Sequence, residues 1–157
     1  MLVSVNGSLV PHHQATVSIF DRGFLFGDGV YEMVRFFGGM GVAMDLHVAR
    51  LARSCQLAGI QGFDAHTLPE FSRTLLQAND LSDASIYVQV TRGCSGARVH
   101  MPTPGLAPTV VGIPTAAPPL AQFTQPECAT AIVRPDPRWQ RCAIKTISLA
   151  GNILCLM

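Results

Sequence analysis

Eleven side chains of this 157-residue sequence are lysine or arginine, and only one of them, Lys145, is a lysine. It stands in the apolar, hydroxyl-bearing run from Ile144 to Leu149. A guanidinium stays protonated in a protein and is a poor nucleophile. A primary amine made neutral by burial or by a neighbouring cation condenses with an aldehyde or carbonyl to give a Schiff base, so Lys145 is the candidate nucleophile. A purely compositional origin is also open, since an arginine-biased sequence leaves few lysines anywhere. Arg98 and His100 are two residues apart, so on an extended backbone both project to one side and a carboxylate fits between them. The same pair also reads as a solvated edge after Gly93 and Gly96. Arg50, one turn from His47, can grip a phosphate with its planar fork or be an ordinary salt-bridged helical arginine. Tyr31 shares a strand face with Met33, Arg35 and Phe37, a pattern that equally suits a core tyrosine. Gly27-Asp28-Gly29 reads as a turn and lacks the spacing of a phosphate loop or a dinucleotide fingerprint.

The elements that must position these side chains come as strands, then helices, then strands. Leu2 to Val5 runs into Asn6-Gly7 and a return at Leu9-Val10, an opening hairpin. Val30 to Phe37 followed by Gly38-Gly39 and Met40 to Met44 predicts a second hairpin. Asp45 is placed to cap a helix from Leu46 to Ala58, with Val48, Leu51, Cys55 and Ala58 on its inner face and Gly59 ending it. Thr67 and Glu70 have capping-box spacing at the head of a second helix reaching Ala78, whose inner side is Phe71, Leu75 and Leu76. Ser85 to Thr91 alternates as a strand, and Pro108 to Ile113 and Ala129 to Val133 read as further strands. The fold class is α/β (α+β): an antiparallel sheet covered by two helices, with the beginning of a second β-rich lobe.

Composition narrows the function. With 48% hydrophobic and 13% charged residues the chain is globular, and a net charge of +1 with scattered arginines gives no footprint for nucleic acid or for an anionic membrane surface. No apolar run reaches the length of a membrane span and no signal-type core opens the chain, so the expected location is cytoplasmic. The five cysteines contain no C-x-x-C pair, which argues against a disulfide framework and against a zinc site; no metal is expected. The Pro114 to Pro126 stretch, centred on Pro118-Pro119, reads as a semi-rigid connection. It divides residues 1–117, a first domain, from a linker at 118–121 and from 122–157, the start of a second domain. That second piece is too small to hold a core alone, and its apolar end (Ile153 to Met157) lacks a stop signal. The expectation is the N-terminal portion of a longer protein, with Trp139, Ile147, Leu149, Ile153, Leu154 and Leu156 short of packing partners.

Five ordered motifs add to these features. Asp21-Arg22-Gly23, Phe26 to Glu32 (FGDGVYE), His47 to Leu51 (HVARL), Gln89 to Gly93 (QVTRG) with Arg98 and His100, and Arg138 to Lys145 (RWQRCAIK) with Gly151-Asn152 span the whole chain. Together they resemble the class IV aminotransferases that depend on pyridoxal phosphate, and most closely the branch acting on D-amino acids. The resemblance implies a two-lobed fold type IV subunit in a homodimer, with Lys145 as the Schiff-base lysine and Arg50 as a ligand of the cofactor phosphate. It also implies that Tyr31, Arg98 and His100 hold the substrate carboxylate. The expected reaction is transfer of an amino group between a D-amino acid (D-alanine or D-glutamate) and a 2-oxo acid. Branched-chain aminotransferases and aminodeoxychorismate-type lyases share that fold and remain alternatives, although Arg98-x-His100 favours an α-carboxylate. A non-catalytic fragment that binds the cofactor or a partner is the alternative of another class. Two departures stand out. Ala143 occupies a position, two before the lysine, that is commonly acidic in the family, and the family's acidic partner for the pyridine nitrogen belongs to a segment beyond residue 157.

Overall fold

The computed structural model describes residues 1–125, 128–133, 135–136 and 141–155. Four helices and six strands are assigned within them: β1 (Leu2–Val5), β2 (Ser8–Pro11), α1 (Arg22–Phe26), β3 (Gly29–Phe37), β4 (Met40–Gly41), α2 (Met44–Ala58), α3 (Leu68–Ala78), β5 (Ala84–Thr91), β6 (Thr109–Ala116) and α4 (Ala150–Leu154). The six strands form one antiparallel sheet in the order β2-β1-β6-β5-β3-β4. An antiparallel sheet with two covering helices is the α/β (α+β) arrangement expected.

Alternation sets the two sides of the sheet. Val30, Val34 and Phe36 of β3 and Ala84, Ile86, Val88 and Val90 of β5 share the buried face, and Leu51 and Cys55 of α2 with Leu75 and Leu76 of α3 close over it. Tyr31, Met33, Arg35 and Phe37 occupy the opposite, more open face. The first hairpin turns through Asn6 and Gly7, both at positive φ (51° and 83°), the geometry of a two-residue type I′ turn and the reason Asn-Gly suits it. Asp21 caps α1 by accepting from the Gly23 N–H at 2.8 Å, and Gly27, at φ 65°, ends it. Five residues are too short for an apolar period, so α1 has no signature in the sequence.

Several local expectations need correction. The strand expected over Met40 to Met44 stops at Gly41, because α2 already begins at Met44 from a left-handed Ala43. Asp45 therefore lies in the first turn of α2 and does not cap it. Thr67 does not form a capping box with Glu70. A short 3-10 turn at Ala65–Thr67, capped by Asp64, leads directly into α3, and the Thr67 hydroxyl donates to the Asp64 carbonyl. Glu70 pairs instead with Arg73. The strand expected at Ala129 to Val133 does not form: these residues have no sheet partner among the described residues, and Ile132 and Val133 are exposed. An alternating run becomes a strand only where a neighbouring strand accepts its ladder. The final strand of the first unit is longer than read, with Pro114 inside it. Trp139 and Leu156, two of the apolar residues expected to lack partners, lie outside the described residues, as do Arg138 and Gln140 of the fifth motif.

Candidate functional site

β4 pairs only with Phe36 and Phe37, so the first half of β3 keeps an open edge. The segment around Lys145 docks there. The Tyr31 N–H donates to the Lys145 carbonyl at 3.0 Å, the Ile147 N–H donates to the Gly29 carbonyl at 3.1 Å, and Val30 and Thr146 form an antiparallel bridge. On the other side the Lys145 N–H donates to the Ser54 hydroxyl of α2 at 3.2 Å. Ser54 is fully buried in the apolar stripe of α2 between Leu51 and Cys55. A hydroxyl in such a stripe is costly without a partner, and here its partner is the backbone of the lone lysine. The Lys145 main chain is thus held from both sides, by a strand and by a helix.

The Lys145 side chain faces a cavity of about 500 Å³ walled by Tyr31, Arg50, Ala143, Thr146, Ser148 and Asn152, among others. That volume lies in the range of small-molecule sites. The ammonium Nζ sits 4.0 Å from the centre of the Tyr31 ring, a cation–π contact, and no hydrogen bond or ion pair engages it among the described residues.

Arg50 faces the same cavity. Its Nε and Nη2 donate to the two Glu32 oxygens at 2.6 and 2.7 Å, which leaves Nη1 unengaged among the described residues. His47 Nδ1 meets Glu32 Oε2 at 2.7 Å. Glu32 is completely buried. Burial alone would push its carboxyl up, but the hydrogen bonds and charges of Arg50 and His47 outweigh burial and hold it below the usual glutamate range. The same bonds raise Arg50 above the ordinary arginine value. Glu32 thereby fixes the plane of the Arg50 guanidinium, and one edge of the fork remains for an anion.

Asp28, the residue before β3, organises the same end of the strand. Burial pushes its carboxyl up, while Arg92 and Arg22 bind it and bring it below the ordinary aspartate value. Arg92 donates to both Asp28 oxygens at 2.8 and 2.9 Å and to the Ala58 and Gly59 carbonyls that end α2, each at 2.7 Å. Arg22 donates to Asp28 at 2.8 Å.

Of the five residues singled out in the sequence, Tyr31, Arg50 and Lys145 line one cavity. Arg98 and His100 are exposed on the loop between β5 and β6 and are not among the cavity's lining residues. They do converge, but on the ring of Phe26, at 5.3 Å for Arg98 and 5.5 Å for His100. Glu32, Ser54 and Asp28 were not singled out. Glu32 had a signal, a carboxylate on the apolar side of an alternating strand; Ser54 had a weaker one, a hydroxyl within a helical apolar stripe. The Asp28 pairs span 6 and 64 residues and carry no spacing signal.

No metal-ligand cluster of three or more His, Cys, Asp or Glu side chains occurs among the described residues. A primary amine with no polar partner among the described residues, lining one cavity with an arginine whose Nη1 edge is likewise unengaged among them, is a donor set that suits an aldehyde-bearing phosphate ester. Among the described residues no acidic side chain lines the cavity, so the group balancing a cationic ring is not supplied by them.

The family described as "Amino-transferase class IV" matches residues 29–157. The chain is 39% identical to a D-alanine aminotransferase from Listeria monocytogenes and 37% identical to one from Bacillus licheniformis, each match covering 98% of this chain and 54% of the relative. It therefore spans about half the length of the curated relatives it matches. Among solved structures, a 4-amino-4-deoxychorismate lyase from Pseudomonas aeruginosa is 28% identical with a TM-score of 0.63, covering 74% of this chain and 40% of the other. A branched-chain amino acid aminotransferase from Escherichia coli, at 20% identity and a TM-score of 0.68 over 74% and 41% of the two chains, shares the fold.

Proposed function

The chain belongs to the class IV aminotransferases, and on that premise we propose that the intact protein transfers an amino group from a D-amino acid, D-alanine or D-glutamate, to a 2-oxo acid. Pyridoxal 5′-phosphate is the family's cofactor; when bound it supplies an aldehyde that condenses with amines and a conjugated ring that draws electrons from the substrate α-carbon. In the proposed site Lys145 Nζ would hold the aldehyde carbon, and the Nη1 edge of Arg50, unengaged among the described residues, would bind the phosphate. The backbone bonds to Ser54, Tyr31 and Gly29 fix where that amine starts. Freed by an incoming amino acid, Nζ would be the group that takes the α-proton as general base and delivers it as general acid to the cofactor carbon that carried the aldehyde, rather than back to the α-carbon. The Tyr31 ring lies beneath Nζ and orients it. Tyr31, Arg98 and His100 are proposed as the donors that hold the substrate carboxylate.

The single observation behind this reading is the placement of Lys145: a main chain tied down on two sides and an amine with no polar partner among the described residues, across a cavity from Arg50. The D-amino acid preference is supported by the names of the relatives. A lyase of the same fold would also use Lys145 but would need no 2-oxo acid. A donor panel separates the readings. D-alanine with 2-oxoglutarate should give pyruvate with ping-pong kinetics. Turnover restricted to L-branched-chain donors, or product release without any 2-oxo acid, would contradict the proposal.

A further inference from the structure

We infer that Arg22 is the positioning residue of the loop that carries Arg98 and His100. The inference rests on the proposal that this pair holds the substrate carboxylate. Arg22 is 4% exposed, and its guanidinium is committed on three sides. Nη1 donates to the Val99 carbonyl at 2.7 Å, Nη2 to the His100 carbonyl at 2.8 Å and Nε to Asp28 at 2.8 Å. Among the described residues, the two bonds to Val99 and His100 are the hydrogen bonds that tie residues 98–100 to the rest of the fold; the Val99 N–H turns back within the loop to Ala97. Arg22, Arg98 and His100 also surround one ring, Phe26, with the Arg22 carbon 4.8 Å from its centre.

This arrangement has a physical purpose that burial alone does not explain. Residues 97–101 lie outside helices and strands, and Arg98 and His100 are exposed, so holding two such side chains ready for a carboxylate carries an entropic cost at each binding event. A planar fork that grips two successive carbonyls meets that cost once, in the fold. Asp28 anchors the fork, and Arg92 anchors Asp28 to the end of α2, the helix that carries Arg50 and Ser54. The loop is therefore registered to the same helix that sets the cavity.

The test uses the intact enzyme with Arg22→Lys, Arg98→Ala and the double variant; Arg22→Ala would leave the Val99 and His100 carbonyls unpaired and Asp28 with Arg92 alone, and is a stability control only. Arg22→Lys keeps the charge beside Asp28 but cannot fork to both carbonyls. Hydrogen exchange should show the Val99 amide, which donates to the Ala97 carbonyl within the loop, losing about tenfold or more of its protection. The KM for D-alanine should rise about tenfold with kcat within about twofold, since uniform carboxylate binding is lost. Cofactor affinity, followed by absorbance, should stay the same. In the Arg98→Ala background Arg22→Lys should add little further loss. Unchanged loop protection in Arg22→Lys, or losses that simply add in the double variant, would overturn the inference. A loosened loop together with an Arg98→Ala enzyme of unchanged KM would instead overturn the carboxylate role of the pair and reduce Arg22 to a structural clamp.

Discussion

Glutamine at position 32 would keep the shape of the side chain and remove its charge. Glu32 accepts three short hydrogen bonds, two from Arg50 and one from His47, with no exposure to solvent. Breaking a buried pair costs about 3–5 kcal/mol. The Arg50 side chain is 50% exposed and can recover hydration, which brings the expected loss for Glu32→Gln to about 1.5–3 kcal/mol. The dependence on pH carries the sharper signature. Glu32 has a folded value below its ordinary 4.5, so its ionised form contributes stability that is fully present above that value and is lost as pH falls through the lower folded one. Asp28 behaves alike below its ordinary 3.8 and is retained in the variant. Urea denaturation of the intact protein, followed by circular dichroism, should show the largest gap between wild type and Glu32→Gln near neutral pH, narrowing as pH falls below about 4.5. The variant should also bind pyridoxal phosphate about tenfold more weakly, because the Arg50 plane is no longer set. A gap under about 0.5 kcal/mol, or one that stays constant on acidification, would refute the assigned ion pair.

Two further substitutions probe the frame. Gly93→Ala should destabilise by at least about 3 kcal/mol or prevent soluble expression, since Gly93 has φ +98° and a Cβ there would stand 1.9 Å from the Ala107 carbonyl oxygen; denaturation midpoints of purified protein test it, and wild-type stability in Gly93→Ala would contradict the loop geometry. Ser54→Ala should cost about 1 kcal/mol and speed exchange of the Lys145 amide, its donor partner, whereas unchanged exchange at residue 145 would remove Ser54 from the account.

The parts of the fold that could be read in advance are those with a sustained period. β3 and β5 show alternation over eight or nine residues, and α2 and α3 present the stripes that their buried residues trace. Boundaries failed where a neighbour, not the local pattern, decided. The left-handed Ala43 starts α2 early, the 3-10 turn capped by Asp64 leaves Thr67 at the head of α3 without a side-chain capping bond, and Ala129 to Val133 finds no strand partner among the described residues. The site divides in the same way. Lys145 and Arg50 stood out by chemical type, and the cavity joins them with Tyr31. What orients them was hidden, because Glu32 needs partners 15 and 18 residues away and the Lys145 N–H needs one 91 residues away. Arg98 and His100 were legible as a pair two apart, but the ring that gathers them, Phe26, belongs to a helix without a periodic signature.

The central claim is that Lys145 Nζ is the amine that holds the cofactor. The intact protein treated with pyridoxal phosphate and then borohydride, digested and mapped by mass spectrometry, should carry the reduced cofactor on the peptide containing Lys145. Lys145→Arg should lose that label and all transamination while keeping the fold, because guanidinium cannot make the linkage. Label on other amines with none on Lys145, or wild-type turnover in Lys145→Arg, would contradict the account.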